Sequence, residues 1–381
     1  MANTLTNLIP IVIAGLDVVS REQVGFIPSC NRDPRADRIA KNQTLYSWAA
    51  PAATLSNITP GNVSPNGADK AFTNVAVTIT NFKMTDWYFT GEERLGLDGS
   101  YGPMVSDLVD QAVRAIVNQM DSDIYTAALV GASRAYGTAG TTPFGTNTGE
   151  SAQMKKILDD NGAPLDTRSL IINTTAGASL RTLSQLTYAN EAGTTMTLRD
   201  GELLNLNKFS IKESAQITAP TAGTTANANT NANGYAIGAT SIGLAASGTG
   251  TIIAGDIVTF GADTNKYVVV TGAAAVNGGT IVINNPGLRV AIPAANTNCV
   301  VVAAATRNMA FSRNALLLAT RLPALPQGGD IATDRAIITD PRSGISMELA
   351  MYPQYRQVRY ELSAAWSATV IKSEHLAQLL G

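Results

Sequence analysis

Charge is scarce in this sequence. Charged side chains make up 15% of its 381 residues, against roughly a quarter in ordinary soluble domains. The 27 basic and 29 acidic groups nearly cancel, for a net charge of −2, which excludes the global basic field that draws proteins to nucleic acid. Large neutral surfaces tend to associate, so the composition fits a low-charge secreted protein or a subunit covered by copies of itself. Histidine occurs once, as His375, which removes the usual general base from most catalytic schemes. Cys30 and Cys299 are the only cysteines. Two thiols so far apart make no disulfide framework and are expected to be reduced.

Other absences narrow the field further. No Cys/His cluster has zinc spacing, so no metal is expected. The G-x-S-x-G elbow, the Walker A loop and a true G-x-G-x-x-G are missing, so no cofactor is expected either. Gly248-Thr249-Gly250 comes nearest, but it lacks a strand–loop–helix setting and reads as a turn. Carboxylate pairs stand at Glu92/Glu93, Asp121/Asp123 and Asp159/Asp160. Proximity in sequence is weak evidence for paired acid and base, and they read as solvated faces or turns. No catalytic residue is assigned, and the chain is read as a non-enzyme. The apolar run 8-LIPIVIAGL-16 is too short to span a bilayer and has no Lys or Arg before it. It reads as neither signal peptide nor membrane anchor.

What is present is most unusual at residues 214–306, where Asp256, Asp263, Lys266 and Arg289 are the only charges. A stretch rich in Ala, Thr, Gly and Asn opens the block. Short apolar runs follow, among them 257-IVTF-260, 267-YVVV-270 and 280-TIVI-283, each the length of a strand. Charged, helix-bearing sequence resumes on both sides. The pattern predicts an all-β module inserted into another domain.

Along the rest of the chain, apolar spacing over 5–24 predicts an amphipathic helix. The segment 31-NRDPRADRIAK-41 carries Arg32, Arg35, Arg38 and Lys41. It reads either as a solvated loop or as an arm reaching a neighbouring subunit or a polyanion. Residues 50–71 are loop-like, and 72–93 read as a ribbon of two strands, with Trp87 and Phe89 adding apolar mass. Val105, Leu108, Val109, Ala112, Val113, Ile116, Met120 and Ile124 then recur every three or four residues. They predict a helix over 103–130 that starts near Pro103, far longer than the mean of about 11–12 residues. A loop over 131–149 precedes a helix at 150–161, a strand at 169–173 and a helix at 174–188. Beyond the β block, 308–321 starts extended and turns helical. Residues 336–352 form a hairpin around Asp340-Pro341-Arg342-Ser343-Gly344, 359–371 a strand, and 373–381 a helix capped by Ser373.

This order of elements resembles the major capsid proteins of tailed double-stranded DNA phages with the Hong Kong-type fold. The nearer likeness is to the podovirus coat-protein branch, which carries a small antiparallel β-barrel in its axial domain. Three stretches carry it: 16-LDVVSREQVGFIPSCNRD-33, 254-AGDIVTFGADTNKYVVVTG-272 and 307-RNMAFSRNALLLATRLPAL-325. The resemblance implies an α+β fold with a discontinuous core at 1–213 and 307–381. Within it the N-arm would be about 1–48, the E-loop about 49–95 and the spine helix about 103–130, with peripheral (P) and axial (A) domains and a β-barrel inserted at 214–306.

It also implies a structural role: self-assembly, as pentamers and hexamers, into an icosahedral virion capsid around packaged DNA, built in the bacterial cytoplasm with no membrane. Scaffolding protein, portal, a decoration protein and non-specific DNA contact are the implied partners. Arg32, Arg35, Arg38, Trp87 and Phe89 are the implied arm and interface residues. The competing reading is an extracellular adhesin or carbohydrate-binding β module, motivated by the Thr/Asn/Gly-rich block. The sequence shows no long charged loop within the insertion, a departure from related coat proteins in which such a loop can bridge neighbouring capsomers, so the resemblance does not carry that contact over.

Overall fold

The computed structural model describes residues 24–49, 55, 57, 58, 60, 73–97, 101–187 and 205–381. The helix expected over 5–24 and most of the 50–71 loop lie outside them. One long helix and two sheets organise the rest. The helix expected over 103–130 spans Tyr101–Gly131 (α2), about 46 Å at 1.5 Å per residue. Ala112, Val113, Ile116, Val117, Met120, Ile124, Tyr125, Ala128 and Leu129 bury one stripe of it. Pro103 sits in the first turn, where its missing N–H would have had no helical partner anyway. The helix ends at Gly131, where only a glycine fits: a Cβ would stand 2.3 Å from Val370 Cγ2.

A six-stranded sheet lies under the helix. Its axis is Gln357–Val370 (β17), long enough for Ser346–Gln354 (β16) and Leu316–Pro323 (β14) to share one edge end to end. Asn81–Thr90 (β4) takes the other edge. Asp334–Thr339 (β15) extends β16, and the turn between them is the expected one. Asp340 accepts from Ser343 N at 3.0 Å and Ser343 Oγ at 2.6 Å.

Three expectations change here. Residues Asn31–Ile39 are a strand (β1), paired parallel to β14 with a shift between Pro34 and Arg38; they are not a free arm. The two strands of 72–93 do not pair with each other. Thr73–Thr78 (β3) joins Thr44–Ala49 (β2) in a separate ribbon, while β4 belongs to β17. The stretch after β13 (Arg307–Ser312) makes only one 3-10 turn, Arg313–Ala315, before extending again as β14.

The second sheet has ten strands, with Arg134–Tyr136 (β5) and Leu376–Leu380 (β18) at its centre. β18 corrects the expected terminal helix: only Ser373–His375 makes a 3-10 turn. All five residues of β18 are buried, so both faces need cover. It pairs antiparallel to β13 and parallel to β5. Arg168–Ile172 (β6) and Phe209–Glu213 (β7) continue the sheet beyond β13. Gly149–Asp160 (α3) and Thr174–Arg181 (α4) flank it, and the expected 174–188 helix breaks into α4 and the short Ser184–Thr187 (α5).

Residues 214–306 are β structure. Ile257–Phe260 (β9), Lys266–Thr271 (β10) and Cys299–Val301 (β12) join the large sheet through β5. Thr280–Ile283 (β11) pairs on one side with β10 and on the other with Ser241–Gly243 (β8). The segment 228–231 completes a ring of backbone pairing. Asn231 N donates to Gly243 O, Thr230 N to Thr297 O, and Cys299 N to Ala228 O. Inside sit Ile242, Phe260, Tyr267, Val269, Ile281 and Ile283, all nearly inaccessible.

Candidate functional site

Surfaces and their fastenings are what this chain offers. The N-terminal stretch 24–30 is anchored by one buried carboxylate. Asp121, on α2, accepts from Phe26 N and Ile27 N at 3.0 Å each through Oδ1, and from Ser214 Oγ at 2.7 Å through Oδ2. Burial pushes its pKa up against these bonds, which pull it down. Phe26 stacks on Phe311 with centroids 6.2 Å apart. Three segments distant in sequence therefore meet at one side chain: the N-terminal stretch, the long helix and the start of the charge-poor block.

The other acidic pairs also hold the fold together. Asp123 accepts from Trp366 Nε1, Asn81 Nδ2 and Gln119 Nε2 at 2.8–3.0 Å. Asp159 takes Lys155 at 2.5 Å and the buried Arg168 at 2.7 Å, and those contacts lower its pKa despite burial. Asp160 meets Arg134. Glu93 accepts Thr90 N while Thr90 Oγ1 accepts Glu93 N, a reciprocal cap on the short helix Gly91–Leu97 (α1). Burial and neighbouring Lys372 lower the pKa of His375, which favours neutral imidazole. Among the described residues no group of three His, Cys, Asp or Glu could hold a metal ion.

The five residues singled out in the sequence fall into two places. Arg38 donates to Pro323 O at 2.8 Å and meets the buried Glu348 at 2.6 Å. Glu348 also takes Arg335 at 2.5 Å, and Arg335 reaches Asp330. Arg35 meets Asp33 at 3.0 Å, and Asp33 also receives Arg321 at 2.6 Å. Arg32 donates to Ser343 O. Arg32 and Arg38 thus fasten β1 to its own sheet. Trp87 and Phe89 face inward from β4. Trp87 stacks on Tyr360 at 5.9 Å, and Phe89 meets Tyr101 edge-on at 5.3 Å. Tyr101 Oη and Tyr360 Oη are 2.9 Å apart, and burial with that bond pushes Tyr101 up to about 12.

Which apolar residues point outward is not legible in the sequence, because nothing in a periodicity marks which face has no partner. Tyr355, Leu95, Ile331 and Tyr46 are 72–90% exposed, and Met84 and Ile337 just over half. They belong to the six-stranded sheet, its margins and the β2–β3 ribbon. A groove of about 870 Å³ lies at the end of that sheet, between α1 and the β16–β17 turn. Outward apolar side chains grouped on one face are a common feature where protein surfaces meet.

Cys30 and Cys299 are both nearly inaccessible, and burial pushes each thiol up to about 12. The thiolate is the reactive form. The native protein is therefore expected to resist maleimide at neutral pH and to take two labels in denaturant, as intact mass would show. Rapid native labelling of Cys30 would contradict the packing of residues 24–30.

No protein-family model and no curated protein matches this sequence. Solved structures do match it across almost its whole length. A chain described as Mycobacterium phage Che8 aligns over 99% of this chain and 98% of its own, at 14% identity and a TM-score of 0.52. A chain from the capsid structure of the cyanophage P-SCSP1u aligns over 100% and 95%, at 12% identity and 0.54. A chain from the mature capsid of bacteriophage PhiM1 aligns over 97% and 91%, at 10% identity and 0.51. At these identities the likeness establishes a shared α+β fold.

Proposed function

We propose that this chain is the major capsid protein of a tailed double-stranded DNA bacteriophage, a structural protein that assembles into the icosahedral shell around the packaged genome. The observation that carries the reading is the likeness of the chain, over almost its whole length, to chains of phage capsids. Low charge and the outward apolar side chains of the six-stranded sheet support it. A protomer whose margins are covered by copies has little need of solvating charge. Closed symmetry multiplies contacts that are individually weak.

In this reading α2 is the spine helix of a Hong Kong-type fold. The six-stranded sheet belongs to the P-domain, the ten-stranded sheet to the A-domain, and the β2–β3 ribbon to the E-loop. The hydrogen-bonded ring within 214–306 is the small inserted barrel of the podovirus coat-protein branch. Pentamers and hexamers would form in the bacterial cytoplasm, with scaffolding protein and portal as partners and a decoration protein on the outer face. Trp87 and Phe89 would act in assembly by holding β4, so that its opposite face, with Met84, meets a neighbouring subunit.

Negative-stain microscopy and sedimentation of the expressed chain, with and without a co-expressed scaffold candidate, test this. Shells tens of nanometres across, or rings of five or six subunits, are the expected result. A monomer under every condition overturns the function and leaves the fold.

A further inference from the structure

Arg134, Arg168, Arg181, Arg321, Arg335 and Arg359 each meet a carboxylate. Three cations around residues 29–32 do not, among the described residues. Lys212, on β7, donates from Nζ to Ser29 Oγ at 3.0 Å. Arg313, in the turn after β13, donates from Nε to Cys30 O at 3.3 Å. Arg32, at the start of β1, donates from Nη1 to Ser343 O.

Every one of these partners is neutral. Each bond fixes a cationic group in place while using only part of its donors. Arg313 is held by Nε alone, which leaves the terminal pair of its guanidinium fork, the geometry that matches a phosphate. Lys212 keeps two of its three protons, and Arg32 keeps Nη2 and Nε. Arg313 is exposed, while Lys212 and Arg32 are half-buried. The three feel one another: burial depresses the lysine pKa, and Arg313 and Arg32 depress it further.

Two carboxylates close to this stretch, Asp121 and Asp33, are committed elsewhere. Asp121 lies beneath residues 24–30 with both oxygens occupied, and Asp33 serves Arg35 and Arg321. Asp166 is exposed beside Thr167, whose carbonyl accepts Arg313 N, and forms no ion pair shown among the described residues. Concentrated like charge without an internal counterion is costly unless an external anion supplies one.

We propose that Arg32, Lys212 and Arg313 form a docking point for the phosphodiester backbone of nucleic acid. The proposal rests on the capsid reading, and places this patch on the face of the protomer turned toward the genome. Donors that ignore base edges bind without sequence preference, and they fit duplex DNA of any composition.

The test uses the full chain and a mixed-sequence duplex of about 20 base pairs, with affinity followed across a salt series. Replacing both Lys212→Gln and Arg313→Gln removes two phosphate contacts. That should lower the slope of log affinity against log salt by about 1.8, at about 0.9 per contact, and weaken binding at least tenfold near physiological salt. Arg94→Gln, which removes a distant cation lying 5.3 Å over the Tyr101 ring, should leave the slope unchanged. The charge-keeping pair Lys212→Arg and Arg313→Lys should restore most of the affinity, which separates lost charge from lost fold.

An unchanged slope in the double Gln variant overturns the proposal. So does tighter binding to polyglutamate than to DNA of equal charge, lost in the same variant, because that assigns the patch to an acidic protein. Shells that form normally while the slope stays unchanged would sink this inference alone. Failure to assemble, with the DNA effect intact, would sink the capsid reading and leave the patch.

Discussion

Truncating Trp366 to alanine should destabilise the protomer by about 3–5 kcal/mol, the usual cost of removing a buried indole. The side chain is fully buried at the middle of β17, opposite Thr320 on one neighbour and Asn81 on the other. It supports the helix from below. Its Nε1 is also one of three donors on Asp123, so the truncation adds an electrostatic loss to the cavity. Trp366→Phe keeps most of the apolar volume and should lose only about 1 kcal/mol beyond the size change, the net worth of one hydrogen bond. Denaturant midpoints of the three proteins order the effects. Equal midpoints for the Ala and Phe variants would mean that the cavity collapses and the hydrogen bond dominates.

Asp121→Ala should be comparably severe for a different reason. It leaves two buried N–H groups and one hydroxyl without an acceptor, at about 1–3 kcal/mol each. Asp121→Asn is the instructive control, since its carbonyl can still take Phe26 N and Ile27 N while Ser214 accepts from the amide. The pair also separates in pH. Burial raises the folded pKa of Asp121 above the ordinary 3.8, so the folded state binds the proton more tightly than the unfolded chain. Stability from this group is therefore present below pH 3.8 and lost as pH rises through the folded value. Relative to Asp121→Asn, the native protein should lose stability on going from about pH 3.5 toward neutrality. A difference between the two proteins that does not vary with pH would contradict the raised pKa.

Features with a strong local cause could be read from the chain. The long helix declared itself through apolar residues every three or four positions, and the Asp340 turn through its Asx chemistry. The charge-poor block was legible as β from composition and run length. What escaped was decided by distant partners. Residues 373–381 carry a cap-like Ser and a run of Leu and Ala that suits a helix or a doubly buried strand equally well. Pairing with β13 and β5 decides for the strand. Arg32 and Arg38 read as part of a solvated loop or a reaching arm because their partners, Ser343 and Glu348, lie some 310 residues further on. β5 is three residues long in a Gly- and Thr-rich loop, so nothing local revealed that it joins the charge-poor block to the main sheet. Trp87 and Phe89 were visible as apolar mass, but their direction depends on the register of β4 with β17.

The position of β18 sets a timetable for synthesis. Without it, the ten-stranded sheet is two separate pieces: β12-β9-β10-β5 on one side and β13-β6-β7 on the other. Their facing edges, β5 and β13, can pair with each other only through residues 376–380. A ribosome adding about 5–20 residues per second has made both pieces before it reaches the strand that joins them. During that interval each nascent chain exposes two open strand edges, the feature that most readily recruits a wrong partner. The ten-stranded sheet cannot become continuous until β18 is in place, so its two halves wait for the last strand they share.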